Sequence, residues 1–321
     1  MNYKTHTRYA KIAIKHSVRF FLLATIAIAA SNFFQFSEKV VYLVCFLLIS
    51  SIGISHGALD NIKGKKLLNI FKIKNILFFY LFYVAIAFLV LILWFLQPSL
   101  MLIIFLIFAS YHFGKEDTYF FLSPIKGKYI KLWYGEIFFG LSLFLKGFLI
   151  IAAPLKFSYT ETQYIFSVLS TDGDFMLFYL DTLFYLSCFT YFWFMFKIES
   201  SSPAAFSIVL DFSSIILLNY FLSPLVAFTI YFCFLHSVRH SISLILMLNK
   251  KNLKKGTKQF LEKAFPLTLI TALIFVLNFW YFSINYELDV TLLRIIFIGL
   301  ASLTFPHILL EYLLEKNEKK S

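Results

Sequence analysis

Five histidines, His56, His112, His236, His240 and His307, are set among long apolar stretches where an ionisable side chain needs a reason. His236 and His240 stand four apart. On an α-helix that spacing puts both rings on one face, about 6 Å apart along the axis. One helix offering two imidazoles in this way is a standard means of giving a metal two nitrogen ligands. Imidazole suits iron, zinc, copper and nickel. The competing reading is two packed or water-bonded histidines. Acids stand nearby: Asp60 follows His56 by four residues, and Glu116 and Asp117 follow His112 by four and five. Each acid either accepts the ring N–H of a ligand histidine or is a loop charge balanced by lysines. Arg239 lies between the paired histidines. If buried it needs a partner, and Asp60, Glu116 and Asp117 are the candidates.

Other polar residues read more plainly. Lys146 and Arg294 are near-interface side chains that snorkel. His6 and His16, in a basic amino-terminal segment, are solvated or interfacial. Cys45, Cys188 and Cys233 each sit in an apolar run, far apart and without pairing motifs, and read as packed thiols. Gly57 and Gly114 directly follow or closely trail the first two histidines. They either let backbone approach closely or end a helix.

The elements that position these residues follow from composition. Of 321 residues 60% are hydrophobic and 21% aromatic, with 43 phenylalanines. Charged residues make up 14%, against about 25% in an ordinary soluble domain. A soluble fold of this length cannot hide so much apolar surface, so the solvent is lipid. Disorder, coiled coil, collagen and a disulfide scaffold are excluded. The net charge of +12 does not point to nucleic acid, since in membrane proteins such an excess marks cytoplasmic loops.

The expected fold is all-α: a polytopic transmembrane helix bundle of about ten spans. These run over residues 19–36, 40–56, 76–96, 99–113, 132–153, 175–196, 204–220, 225–248, 265–284 and 291–313, of which the fourth and seventh are short. Pro98, Pro203, Pro224 and Pro266 fall at proposed starts, where a missing N–H costs little. Pro154 falls at an end, and Pro306 alone lies inside a span. With the amino terminus inside, most of the 29 basic residues fall on the cytoplasmic side, while the outside loops hold only Lys39 and Lys156. Both termini are therefore expected to be cytoplasmic. The organisation is a basic segment over 1–18, a transmembrane catalytic bundle over 19–313 and a charged tail over 314–321. Ala27-Ile28-Ala29 before Ala30 also resembles a signal-peptide cleavage site; either outcome leaves Ser37 outside. On this topology all five histidines reach the inner half of the membrane.

The motifs now carry a resemblance. Ser55-His56-Gly57-Ala58-Leu59-Asp60 comes first, and Tyr111-His112-Phe113-Gly114-Lys115-Glu116-Asp117 second. The stretch from Phe232 to His240, with its His236-Ser237-Val238-Arg239-His240, is third, and Pro306-His307 fourth. In this order they resemble the Brp/Blh family of membrane β-carotene 15,15′-dioxygenases, from about residue 50 to residue 312. The resemblance implies an integral inner-membrane enzyme that uses iron(II) and O2. Its reaction splits the central double bond of β-carotene into two all-trans-retinals. The ligands would map onto His56, His112, His236 and His240, with His307 a fifth ligand, a supporting group or a substrate contact. Asp60, Glu116, Asp117 and Arg239 would support them. Substrate would enter from the bilayer, and retinal would pass to an acceptor such as a microbial rhodopsin. Asn61, the abundant phenylalanines and the basic loop Lys250–Lys258 depart from the family's pattern and bear on which carotenoid is taken. Two rival classes are a histidine-rich di-iron desaturase or hydroxylase, which uses more histidines than are present, and a haem-binding or proton-coupled transporter.

Overall fold

A computed structural model describes residues 3–122, 135–170, 180–197 and 203–318. Among the described residues all regular structure is helical. In chain order the helices are α1 Tyr3–Phe33, α2 Glu38–Ser51, α3 Asp60–Ile70, α4 Leu77–Leu96 and α5 Pro98–Leu122. Then come α6 Glu136–Phe157, α7 Tyr159–Leu169, α8 Leu180–Lys197, α9 Pro203–Phe221 and α10 Pro224–Ile230. The last are α11 Val238–Leu248, α12 Leu253–Phe282 and α13 Leu288–Glu318. A tight 3-10 turn, Gly53–Gly57, joins α2 towards α3, and a π-helical segment, Tyr231–Ser237, joins α10 to α11.

Nine stretches of the described residues are long and apolar enough to cross a membrane. They correspond to nine of the ten expected spans. The remaining one, 175–196, matches α8 from Leu180 onward, and its first residues lie outside the described part. The two short expectations are longer as helices, since α5 runs past His112 to Leu122 and α9 covers Pro203–Phe221. Pro98 and Pro224 do open their helices, and Ser223 before Pro224 is extended, as a residue preceding proline should be. Pro266 does not open a helix. α12 starts at Leu253, capped by Asn252, whose side chain accepts from the Lys255 amide at 3.1 Å. The charged residues 254–263 therefore extend an apolar span as continuous helix, which hydropathy alone cuts short. α1 likewise includes most of the basic amino-terminal segment.

The helices present apolar surface outward, as lipid-facing helices must. On α4, Phe82, Phe88 and Phe95 are exposed, Phe95 to 93%, while only Val90 and Trp94 are buried.

The chain forms two compact units. The first comprises Met1–Cys45, Leu106–Ser167 and Asp172–His240. In it α1 lies along α9, and α6 packs on α8. α1 buries Ala13, Ser17 and Ala24, and α9 buries Ser207 and Ser214. Such small residues let membrane helices approach closely without a hydrophobic drive. At its glycines α5 also comes very close to α6. A Cβ added to Gly114 would fall on the Leu143 carbonyl, and one added to Gly147 would fall on the Ser110 carbonyl. Gly114 therefore serves backbone approach and does not end a helix.

The second unit comprises Phe46–Phe105, Val168–Thr171 and Ser241–Ser321. Here α13 packs on α4 and α3, and the 3-10 turn touches α12 and α13. Ala58, Leu59, Leu244, Phe260 and Ala264 form a small core that Ile62, Ile245 and Leu248 complete.

Candidate metal centre

In the first unit the ligand-bearing residues come from α5 and from the π segment with α11. His112, His236 and His240 are all buried. The rings of His112 and His236 lie with centroids 5.2 Å apart, edge to face. Asp117, one turn past His112, does not pair with its own helix. Its Oδ1 lies 3.3 Å from His236 Nδ1, and its Oδ2 accepts the Tyr231 hydroxyl at 2.7 Å. Glu116 Oε2 lies 3.2 Å from His240 Nδ1. Each acid thus reaches across to the other helix. A carboxylate can only accept, so Nδ1 carries a proton, which in a neutral ring leaves the lone pair on Nε2. Metals take imidazole in that tautomer, with a carboxylate behind the ring fixing its orientation. Phe113 packs edge-on against His236 at 4.7 Å and Phe232 stacks on it at 5.9 Å, so aromatic walls hold the ring.

The π segment is the local feature that sequence spacing missed. His236 and His240 are four apart, but the first ends a π turn and the second lies on an α-helix. π segments are rare and concentrate at functional sites.

Arg239 is paired differently from expectation. Its guanidinium meets Asp211 of α9 through two nitrogens, at 2.7 Å each, and donates to Ser17 Oγ of α1 at 2.8 Å. Arg239 and Asp211 are 1% and 2% exposed. The planar fork satisfies a carboxylate through two bonds at once, which makes this burial tolerable. An acid in the middle of the apolar stretch 204–220 was a legible signal of a buried partner. Lys146 is also corrected: it is buried on α6, with its Nζ 5.2 Å from the Tyr191 ring centre, and does not snorkel. His16 is half-buried. Its Nε2 lies 3.1 Å from the Phe234 carbonyl, inside the π segment. Arg294 is exposed and donates to the Val168 carbonyl at 3.1 Å.

In the second unit His307 follows Pro306 on α13 and is 2% exposed. Its Nδ1 lies 2.8 Å from Asp60 Oδ2, which also accepts the Tyr83 hydroxyl at 2.9 Å. Asp60 is buried and so is not a loop charge. Its partner is His307, 247 residues away, as well as Tyr83. Glu311, one turn on, places Oε1 3.6 Å from His307 Nε2, and Lys63 donates to that same oxygen at 2.7 Å. The side chain of His56 lies outside the described residues. Its backbone belongs to the 3-10 turn, and the turn touches α13.

Buried imidazoles with carboxylates behind Nδ1 fit a first-row transition metal of the iron, zinc, copper or nickel type. Nothing in local spacing marks Tyr83 or Tyr231, whereas Glu311 follows His307 by four residues, the spacing that marks Asp60 and Glu116.

Comparison with known proteins gives two findings. Residues 47–315 match the model of the family described as β-carotene 15,15′-dioxygenase. The chain is 29% identical over 275 residues to a β-carotene 15,15′-dioxygenase of the uncultured marine bacterium 66A03, covering 82% of this chain and 90% of that protein. No solved structure matches.

Proposed function

The chain belongs to the β-carotene 15,15′-dioxygenase family, and from that premise we propose that it cleaves the central 15,15′ double bond of β-carotene with O2. Each half of the polyene leaves with one oxygen atom as an all-trans-retinal, so no further reductant is needed. The pairing of buried imidazole Nδ1 atoms with Asp117 and Glu116 carries this reading. It supports a neutral nitrogen set for iron(II) made of His56, His112, His236 and His240, with His307 as the fifth imidazole. Iron(II) would supply O2 activation, chemistry that no side chain offers.

The chain's own groups have narrower tasks. Asp117 and Glu116 hold their rings in one tautomer and one orientation. Asp60 does the same for His307. Phe113 and Phe232 exclude water from the His236 ring. Arg239 is tied to Asp211 and Ser17, so its role is to lock the histidine-bearing helix in place.

β-Carotene is wholly apolar and enters laterally from the bilayer. The enzyme resides in the inner membrane with both termini cytoplasmic, and residues 19–313 form its catalytic part between the basic segment 1–18 and the tail 314–321. Its product passes to a membrane acceptor such as a microbial rhodopsin. Expression in a β-carotene-producing bacterium tests the activity. Loss of orange colour with retinal in the extract is expected; intact carotenoid despite membrane expression and supplied iron contradicts it.

A further inference from the structure

The family match begins at residue 47, so α1, Tyr3–Phe33, lies wholly before it. Yet two adjacent residues of α1 grip the stretch that carries His236 and His240. His16 reaches the Phe234 carbonyl at 3.1 Å, two residues before His236. Ser17 accepts from Arg239 at 2.8 Å, one residue before His240. α1 and the π segment are in contact as elements as well.

The chemistry of these two bonds is specific. A π turn breaks the regular i to i−4 ladder, and backbone groups displaced from that ladder inside a membrane need an alternative partner. The Phe234 carbonyl can only accept. His16 therefore presents a protonated Nε2, and its ring edge rests on Phe120 of α5 at 6.4 Å between centroids. Phe120 in turn lies under the Arg239 guanidinium, 5.6 Å from its ring centre. His16, Ser17, Phe120 and Arg239 thus form one packed group around the backbone between the two histidines.

We propose that His16 is a positioning residue for the metal centre: by donating to the Phe234 carbonyl it holds the π turn that aims His236, with Ser17 as its auxiliary on Arg239. The inference rests on the reading of His236 as an iron ligand, and it adds a required element outside the family-matched stretch. It acts through backbone and not through substrate, so its loss alters the metal and kcat more than KM for β-carotene.

The test uses the full chain in detergent, with His16→Gln, His16→Leu and Ser17→Ala beside the unaltered protein. Gln offers an amide N–H at about the reach of Nε2, whereas Leu keeps bulk without a donor. Three readouts are taken: amide hydrogen exchange over 231–240, iron bound per chain, and kcat with KM for retinal formation. For His16→Leu we expect faster exchange in the π turn and a drop of about tenfold in kcat and iron affinity, the lower end of what supporting groups of metal ligands contribute. KM should hold within about twofold. His16→Gln should restore all three readouts to near those of the unaltered chain, and Ser17→Ala should fall between. Unchanged exchange and iron in His16→Leu overturn the proposal. Equal losses in Leu and Gln, with monodisperse protein, also overturn it, since bulk and not the donor would then matter. An unaltered chain that binds no iron contradicts the metal reading instead, while the exchange data still judge the His16 bond.

Discussion

Asp117 in the first unit and Asp60 in the second do the same local job. Each is buried, each accepts a tyrosine hydroxyl, from Tyr231 or Tyr83, and each lies on the Nδ1 of a histidine, His236 or His307. Even the backbone shares a trait, because both histidines sit at a departure from the regular α ladder. His236 lies within a π turn, and His307 follows Pro306, which lacks an N–H for the turn behind it. Beyond this the two regions differ. His236 sits among other imidazoles, with His112 at 5.2 Å and His240 one turn on. On its Nε2 side His307 meets a carboxylate, Glu311, which Lys63 partly neutralises. The same orienting device thus serves a nitrogen-rich site in one unit and a mixed imidazole–carboxylate group in the other. A metal that prefers imidazole should depend more on the first.

The sharpest way to break this comparison is to remove each histidine. His236→Ala should abolish retinal formation, a loss beyond about 100-fold, together with its iron. His307→Ala should lose less iron, measured on the purified chain. Equal iron loss would show that the neighbours do not matter.

Next in size is the buried Arg239–Asp211 ion pair of the first unit. Arg239→Leu leaves Asp211 buried alone and should destabilise by about 3–5 kcal/mol, read as a lower thermal midpoint in detergent. Adding Asp211→Leu should recover much of that loss. Lys63→Met, at a pair whose side chains keep 13% and 12% exposure, should cost less.

Smaller again is the orienting carboxylate itself. Asp117→Asn keeps shape but can turn an N–H toward the ring, and kcat should fall about 10–100-fold. Asp60→Asn should fall at the low end of that range. A larger effect from Asp60 would reverse the ranking of the two units.

Smallest are the tyrosines. Tyr231→Phe and Tyr83→Phe each remove one hydrogen bond to a charged acceptor, about 1.5–3 kcal/mol. Since the histidine stays in contact with the aspartate, kcat should drop only about fivefold in either variant. A drop as large as that of Asp117→Asn would mean the hydroxyl does more than orient the acid.

The helices are legible in the sequence, because hydropathy over about 20 residues is a direct imprint of bilayer thickness. Hydropathy errs where a charged run extends an apolar one, as at 254–263 ahead of Pro266. The sequence also marks the chemical residues, since a histidine or an acid in an apolar stretch stands out by type alone. What it does not assign is pairing. Asp117 was grouped with His112 by sequence distance, yet it serves His236, 119 residues away. Asp60 serves His307 for the same reason. Arg239 pairs with Asp211, an acid inside a span that sequence distance does not single out. Local periodicity says which face a residue occupies, but not which helix meets that face. The π turn was invisible for a related reason: it depends on packing and on the outside donor His16, not on the propensities of residues 231–237.

The central claim is that buried imidazoles, oriented by carboxylates, hold a non-haem iron that serves carotenoid cleavage. Metal analysis and optical spectroscopy of the anaerobically purified chain, beside His236→Ala, test it most directly. The account predicts stoichiometric iron without a Soret band in the unaltered protein, and iron lost in the variant. Iron-free protein that still forms retinal, or a haem spectrum, would contradict it.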